Sequence, residues 1–103
     1  MSSKNLQTTT AAGAGALAAF GPVIPVGKVR KYVKIITAAT VLDNIIFEDG
    51  AANFLVLVQA GNATTVLDSG DRNNPIVVVP PGTAQPRINA AATSFVTVTW
   101  YDE

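Results

Sequence analysis

Four of the chain's seven cations, Lys28, Arg30, Lys31 and Lys34, fall within seven residues. The acidic residues stand elsewhere, at 43–49, 68–71 and the terminal Asp102-Glu103. Alternation along KVRKYVKIIT puts Lys28, Arg30, Tyr32 and Lys34 on one strand face and Val29, Val33 and Ile35 on the other, with Lys31 as the exception. Such a face can make an electrostatic contact with acidic groups of a partner or of a second protomer. The plainer expectation is a solvated face whose long side chains cover apolar surface. Other chemistry is sparse. Asp68, Asp71 and Asn73 put oxygen donors in one polar loop, but the loop lacks the twelve-residue calcium pattern and its closing Glu, and reads as a solvated hairpin loop. Asp43, Glu48 and Asp49 are close in sequence, yet nothing around them suggests a cleft with an acid and a base across it. Tyr32 and Tyr101 are the sole aromatic candidates for a sugar-binding face. Asn62-Ala63-Thr64 matches a glycosylation sequon by pattern only.

What is missing narrows the field further. With no His and no Cys, imidazole bases, thiolate nucleophiles, His/Cys zinc sites and disulfides are all excluded. Seven acidic residues balance the seven cations, which argues against a generic nucleic-acid binder. No metal or cofactor is expected. The composition points away from an enzyme and towards a protein that works by its shape. Charged residues are 14% of the chain, against a usual figure of about 25%, and hydrophobic residues are 49%. A chain of 103 residues has much surface for its volume, so part of its apolar surface is expected to be covered by other copies or by a partner.

The elements that must carry these residues are short strands. Thirteen Val, seven Ile and eleven Thr supply β-branched side chains, while eight Gly and six Pro punctuate the chain at short intervals. The spacing predicts strands over 28–37, 41–48, 53–60, 63–67, 76–79, 84–89 and 93–101, with no helix. The Pro-interrupted piece 84–89 suits a sheet edge. In the last strand, Val96, Val98 and Trp100 share one face, and Phe95, Thr97, Thr99 and Tyr101 the other. The fold expected is all-β: a small single-domain β-sandwich of jelly-roll type over 22–103, preceded by an extended N-terminal arm, 1–21. Apolar runs at 45–47, 54–58 and 76–79 leave both strand faces apolar, so Phe54, Val56 and Val58 are candidates for an interface between copies. The arm is polar, then rich in Ala and Gly, and is either a plain tail or a segment that orders on a partner, with Leu6, Leu17 and Phe20 as its anchors. The run AAGAGALAAF superficially resembles the apolar part of a signal peptide, but its two glycines and the lack of a small-x-small cleavage site before Pro22 argue against one. No apolar stretch approaches the ~20 residues of a membrane-spanning helix.

Pro25-Val26-Gly27-Lys28-Val29-Arg30-Lys31 leads into the apolar run Val33 to Ile36; later come Asn74-Pro75, Ile76 to Val79, Pro80-Pro81-Gly82-Thr83 and the terminal strand Ser94 to Tyr101. Over residues 22–101 this layout resembles small β-sandwich virion proteins of tailed phages and related viruses, in particular capsid decoration (cement) proteins. The resemblance implies a homo-oligomer, often a trimer, on the outer surface of the virion, where it clamps neighbouring copies of the major capsid protein. A self-assembling filament or surface-layer subunit using its arm as a donated strand is the alternative. A glycan- or receptor-binding module is the third.

Overall fold

Turn residues cut the β-branched runs into pieces too short for one sheet to bury alone, and the pieces pair into two antiparallel sheets. The computed structural model describes residues 5–103. Among them are β1 (Gln7–Ala12), β2 (Leu17–Ala19), β3 (Arg30–Ala39), β4 (Asp43–Glu48), β5 (Asn53–Gln59), β6 (Ala63–Asp68), β7 (Val77–Val78), β8 (Arg87–Asn89) and β9 (Ser94–Asp102), and no helix. One sheet has the order β1-β9-β3-β6, with the short β7 pairing the start of β3; the other has the order β2-β8-β4-β5. The strands are thus nested: β1 with β9, β2 with β8, β3 with β6 and β4 with β5.

The core lies between the sheets. Ile35, Val96 and Val98 from the first sheet meet Ile45, Phe47 and Ile88 from the second. Phe47 sits edge-on to Phe20 and Tyr32 with ring centroids 5.9 and 6.0 Å away, a favoured aromatic geometry. Phe54, Leu55 and Leu57 of β5, and Ile76 and Val77, pack on this same core. The apolar runs expected to cover a second copy are therefore mostly used within the chain, and only Val56, Val58 and Val78 stand outside.

The sandwich takes in part of the segment expected to be a separate arm; residues 1–4 of that segment lie outside the described residues. Gln7–Ala12 pairs in full register with Phe95–Trp100 of β9, and Leu17–Ala19 with β8. Phe20, expected as an anchor on another molecule, is buried in the chain's own core. A strand needs backbone pairing before it needs apolar bulk, and Thr8-Thr9-Thr10 supplies residues suited to a sheet. The Trp100 indole NH donates to Thr9 Oγ1 at 2.9 Å, fixing β1 from inside. The strand after Pro86 also differs from expectation: Arg87–Asn89 lies inside its sheet, between β2 and β4, because the proline precedes the pairing residues.

β3 explains the misfit of Lys31. Tyr32 pairs with Trp100 but Lys34 pairs with Thr99, so Val33 is an extra residue in a β-bulge. An extra residue shifts the two-residue alternation by one. Before the bulge Arg30 and Tyr32 point inward; after it Ile35, Thr37 and Ala39 do. The expected basic face of Lys28, Arg30 and Lys34 does not form.

Candidate functional site

Each residue of the basic cluster has a separate fate. Arg30 is 1% exposed. Its Nε and Nη2 donate to the two carboxylate oxygens of Asp102 at 2.8 and 2.9 Å, and Nη1 donates to the Pro22 carbonyl. The guanidinium also lies 3.7 Å from the Trp100 ring centroid. This is a bidentate pair with a cation–π contact, holding the start of β3, the end of β9 and the turn after β2 together. Lys31 Nζ donates to Glu103 Oε1 at 2.7 Å, and Lys34 Nζ lies 4.0 Å from Asp68. Lys28 is exposed on the turn in which its amide donates to the Pro25 carbonyl. Arg30, Lys31 and Lys34 thus meet the chain's own acids, while Lys28 stands on its turn.

The other chemical candidates are equally dispersed. Asp49 Oδ1 accepts the amides of Ala52 and Ala51, and these bonds hold its pKa below the usual carboxylate value. Asp43 Oδ2 accepts from the Ala91 amide and from Ser94 Oγ at 2.9 and 2.7 Å, so it serves the loop before β9. Tyr101 is buried and its OH donates to the Arg72 carbonyl at 2.6 Å. Tyr32 is buried with its hydroxyl unpartnered, and burial raises its pKa. Among the described residues no group of three His, Cys, Asp or Glu could hold a metal ion. The hollow between the 24–29 and 81–84 turns has Lys28 as its one charged residue, with no opposite group to act as acid or base.

The surface with the most distinct character lies at one end of the sandwich. The register places four connections there: 13–16 between β1 and β2, 40–42 between β3 and β4, 60–62 between β5 and β6, and 90–93 between β8 and β9. Their sequences, GAGA, TVL, AGN and AAAT, contain no charge. Val41 (64% exposed), Leu42 (67%), Val58 (70%) and Phe95 (55%) project at or beside them. A shallow hollow next to Phe95 is lined by Ala38, Thr40, Asn62, Thr64 and Thr93.

Backbone contacts hold these loops in pairs. Gly13 N donates to Ser94 O at 2.8 Å and Gly15 N to Ala90 O at 2.9 Å. A Cβ on Gly13 would stand 1.9 Å from the Ala91 carbonyl oxygen, so only glycine permits this approach. Gly61 similarly abuts the 40–42 backbone, with Thr40 O and Leu42 N each 3.1 Å from where its Cβ would be. Beneath them, Thr37 Oγ1 donates to Gln59 Oε1 at 2.6 Å, and Gln59 Nε2 donates to Ala60 O and Ala63 O, each at 3.0 Å. The result is a supported, uncharged platform suited to contact with an uncharged surface.

Of the expected interface residues, Val58 borders this platform, Val56 and Leu17 lie on the outer face of the second sheet, and Leu6 precedes β1. Phe20, Arg30 and most of Phe54 are internal, and Lys28 and Lys34 lie away from the platform. Val41, Leu42 and Phe95 are the residues that strand patterning missed; the available signal was the lack of charge in 13–16, 40–42, 60–62 and 90–93. Comparisons with protein-family models, curated proteins and solved structures find no match for this chain.

Proposed function

We propose that the protein is a structural virion protein of the capsid-decoration type, seated on the outside of a major capsid shell through its uncharged loop end. The observation that carries this reading is that platform: four charge-free connections, one pair tied by backbone hydrogen bonds and the other packed closely at Gly61, with Val41, Leu42, Val58 and Phe95 projecting beside them. Binding and not catalysis is the function it suits, since the charged side chains are engaged in the fold or dispersed. The nested strand order supports a jelly-roll reading of the sandwich, an architecture used by viral capsid and lectin domains. The donated-strand alternative is weakened because β1 already pairs with the chain's own β9. The glycan site expected at Tyr32 and Tyr101 is weakened because both are buried.

Co-sedimentation with empty shells of the cognate virus tests the reading. The double variant Val41→Lys/Leu42→Lys should lose shell binding by more than about tenfold, because two lysines would be desolvated against an uncharged contact. Lys28→Glu, at the opposite end, should bind as the unmodified chain does. Equal binding by all three proteins would refute the loop end as the seat.

A further inference from the structure

The outer edge of β6 is the most open strand edge among the described residues. Every residue of Ala63–Asp68 is exposed except Leu67. Its sequence, ATTVLD, contains no Pro, Gly or Lys, and its only charge is the last residue. Those are among the devices by which a sheet edge avoids pairing with another chain. The other edges differ. β7 and β2 have only two and three residues, β5 is broken by a bulge at Phe54, and β1 has Gly21 and Pro22 beside Thr9.

The phase of the open hydrogen bonds follows from the ladder. Ser69 N donates to Val33 O, and Ser69 lies one step beyond the Lys34–Asp68 pair. Bonded pairs alternate along an antiparallel ladder, so Ile35/Leu67, Thr37/Thr65 and Ala39/Ala63 face each other's NH and CO groups. The NH and CO groups of Thr64, Val66 and Asp68 therefore point away from β3.

We propose that β6 pairs antiparallel with β6 of a second copy about a two-fold axis through Thr65, joining the two larger sheets into one. A two-fold contact must suit itself, and this register does. Thr64 would face Val66 of the second copy, exchanging the two outward NH and CO groups. Small Ala63 would face the larger Leu67. Asp68 would face Asn62, so no carboxylate meets its own copy, and like charges directly opposite are the arrangement a sheet avoids. Side chains stay on their proper faces, with Thr64 and Val66 extending the outer row that contains Ile36 and Thr97. This pairing does not depend on what the loop end contacts.

Amide hydrogen exchange on the unmodified chain, read with its mass in solution, tests the pairing. The amides of Thr65 and Leu67, bonded to β3, should be protected at every concentration. Those of Thr64 and Val66 should gain about a hundredfold protection at millimolar concentration, lose it on dilution, and do so in step with a dimer-to-monomer change in mass. Val66→Pro removes an outward NH without touching the β3 ladder and should leave a folded monomer. Free exchange at Thr64 and Val66 in a millimolar sample would overturn the proposal, whether or not the proline variant folds. So would a trimer, because a β6–β6 pair closes at two copies.

Discussion

At the end of the sandwich that carries the 20–29 and 69–76 connections, side chains do much of the fastening. Arg30 grips Asp102, the Pro22 carbonyl and the Trp100 ring; Lys31 reaches Glu103; Gln85 donates to the Gly21 carbonyl at 3.0 Å; Tyr101 reaches Arg72. At the opposite end, backbone ties through Gly13, Gly15 and the close approach of Gly61 share the fastening with Thr37, Gln59 and Asp43. Asp43 and Gln59 bond to loop backbone there, Gln59 from full burial and Asp43 half-buried. The difference has a functional consequence. Fastening by charged side chains fills an end of a small domain with ionic groups. Fastening through backbone leaves the outer surface free to be apolar without leaving the loops loose. If the comparison is sound, the first end should be broken by removing a side chain and the second by adding one.

The largest effect is expected at Arg30. Arg30→Ala removes a buried bidentate partner and leaves Asp102 without its counter-ion, and it strips packing from Trp100. A loss of about 3 kcal/mol in urea-unfolding stability is expected, at the lower end for a broken buried pair because Asp102 keeps some access to water. Arg30→Lys should recover less than half, since an ammonium cannot reproduce the two-pronged contact. A loss no greater than ~0.5 kcal/mol for Arg30→Ala would mean the pair is a surface ornament.

At the other end, Gly13→Ala adds one methyl where the Ala91 carbonyl already sits. Backbone must move to admit it, so we expect a loss of about 1–3 kcal/mol, in the range of overpacked sites. Gly61→Ala should cost less, because its nearest neighbours are 3.1 Å from the added carbon. Thermal unfolding of both variants gives the order. A Gly13→Ala protein as stable as the original would show that the paired loops are adaptable.

Much of the strand plan was legible because turn residues bracket the β-branched runs: Asp49-Gly50 separates β4 from β5, and Gly61-Asn62 separates β5 from β6. The bulge left a trace too, as Lys31 on the supposed apolar face of β3. What could not be read was set by partners far along the chain. Gln7–Ala12 has little apolar bulk and is a strand because β9, nearly ninety residues later, offers a ladder. Arg30 and Asp102 are 72 residues apart, and only the register of β3 with β9 brings them together. For the same reason the cluster read as a basic face when counted along the sequence. The uncharged end was visible in GAGA, TVL, AGN and AAAT, but only once these four connections are known to share an end.

The smallest effect concerns Tyr32, which stands next to the Arg30 system and has a buried hydroxyl without a partner. Burial is the main cause that lifts its pKa above the usual 10.0; Asp102 adds to the rise and the Arg30 charge opposes it. Above pH 10 the unfolded chain loses this proton while the folded chain keeps it, so the folded state binds more protons. Stability contributed by the neutral phenol is therefore complete below pH 10 and falls as pH rises beyond it, by up to about 1.4 kcal/mol per pH unit. Tyr32→Phe removes that proton. The variant should equal or exceed the original by up to ~1 kcal/mol at pH 7, where an unpartnered hydroxyl is only desolvated, and should lose less stability between pH 10 and 11. Urea unfolding across that range is the measurement. A variant clearly less stable at pH 7 would mean that the hydroxyl has a partner, such as a buried water, and that the interior beside Arg30 is better satisfied than its geometry indicates.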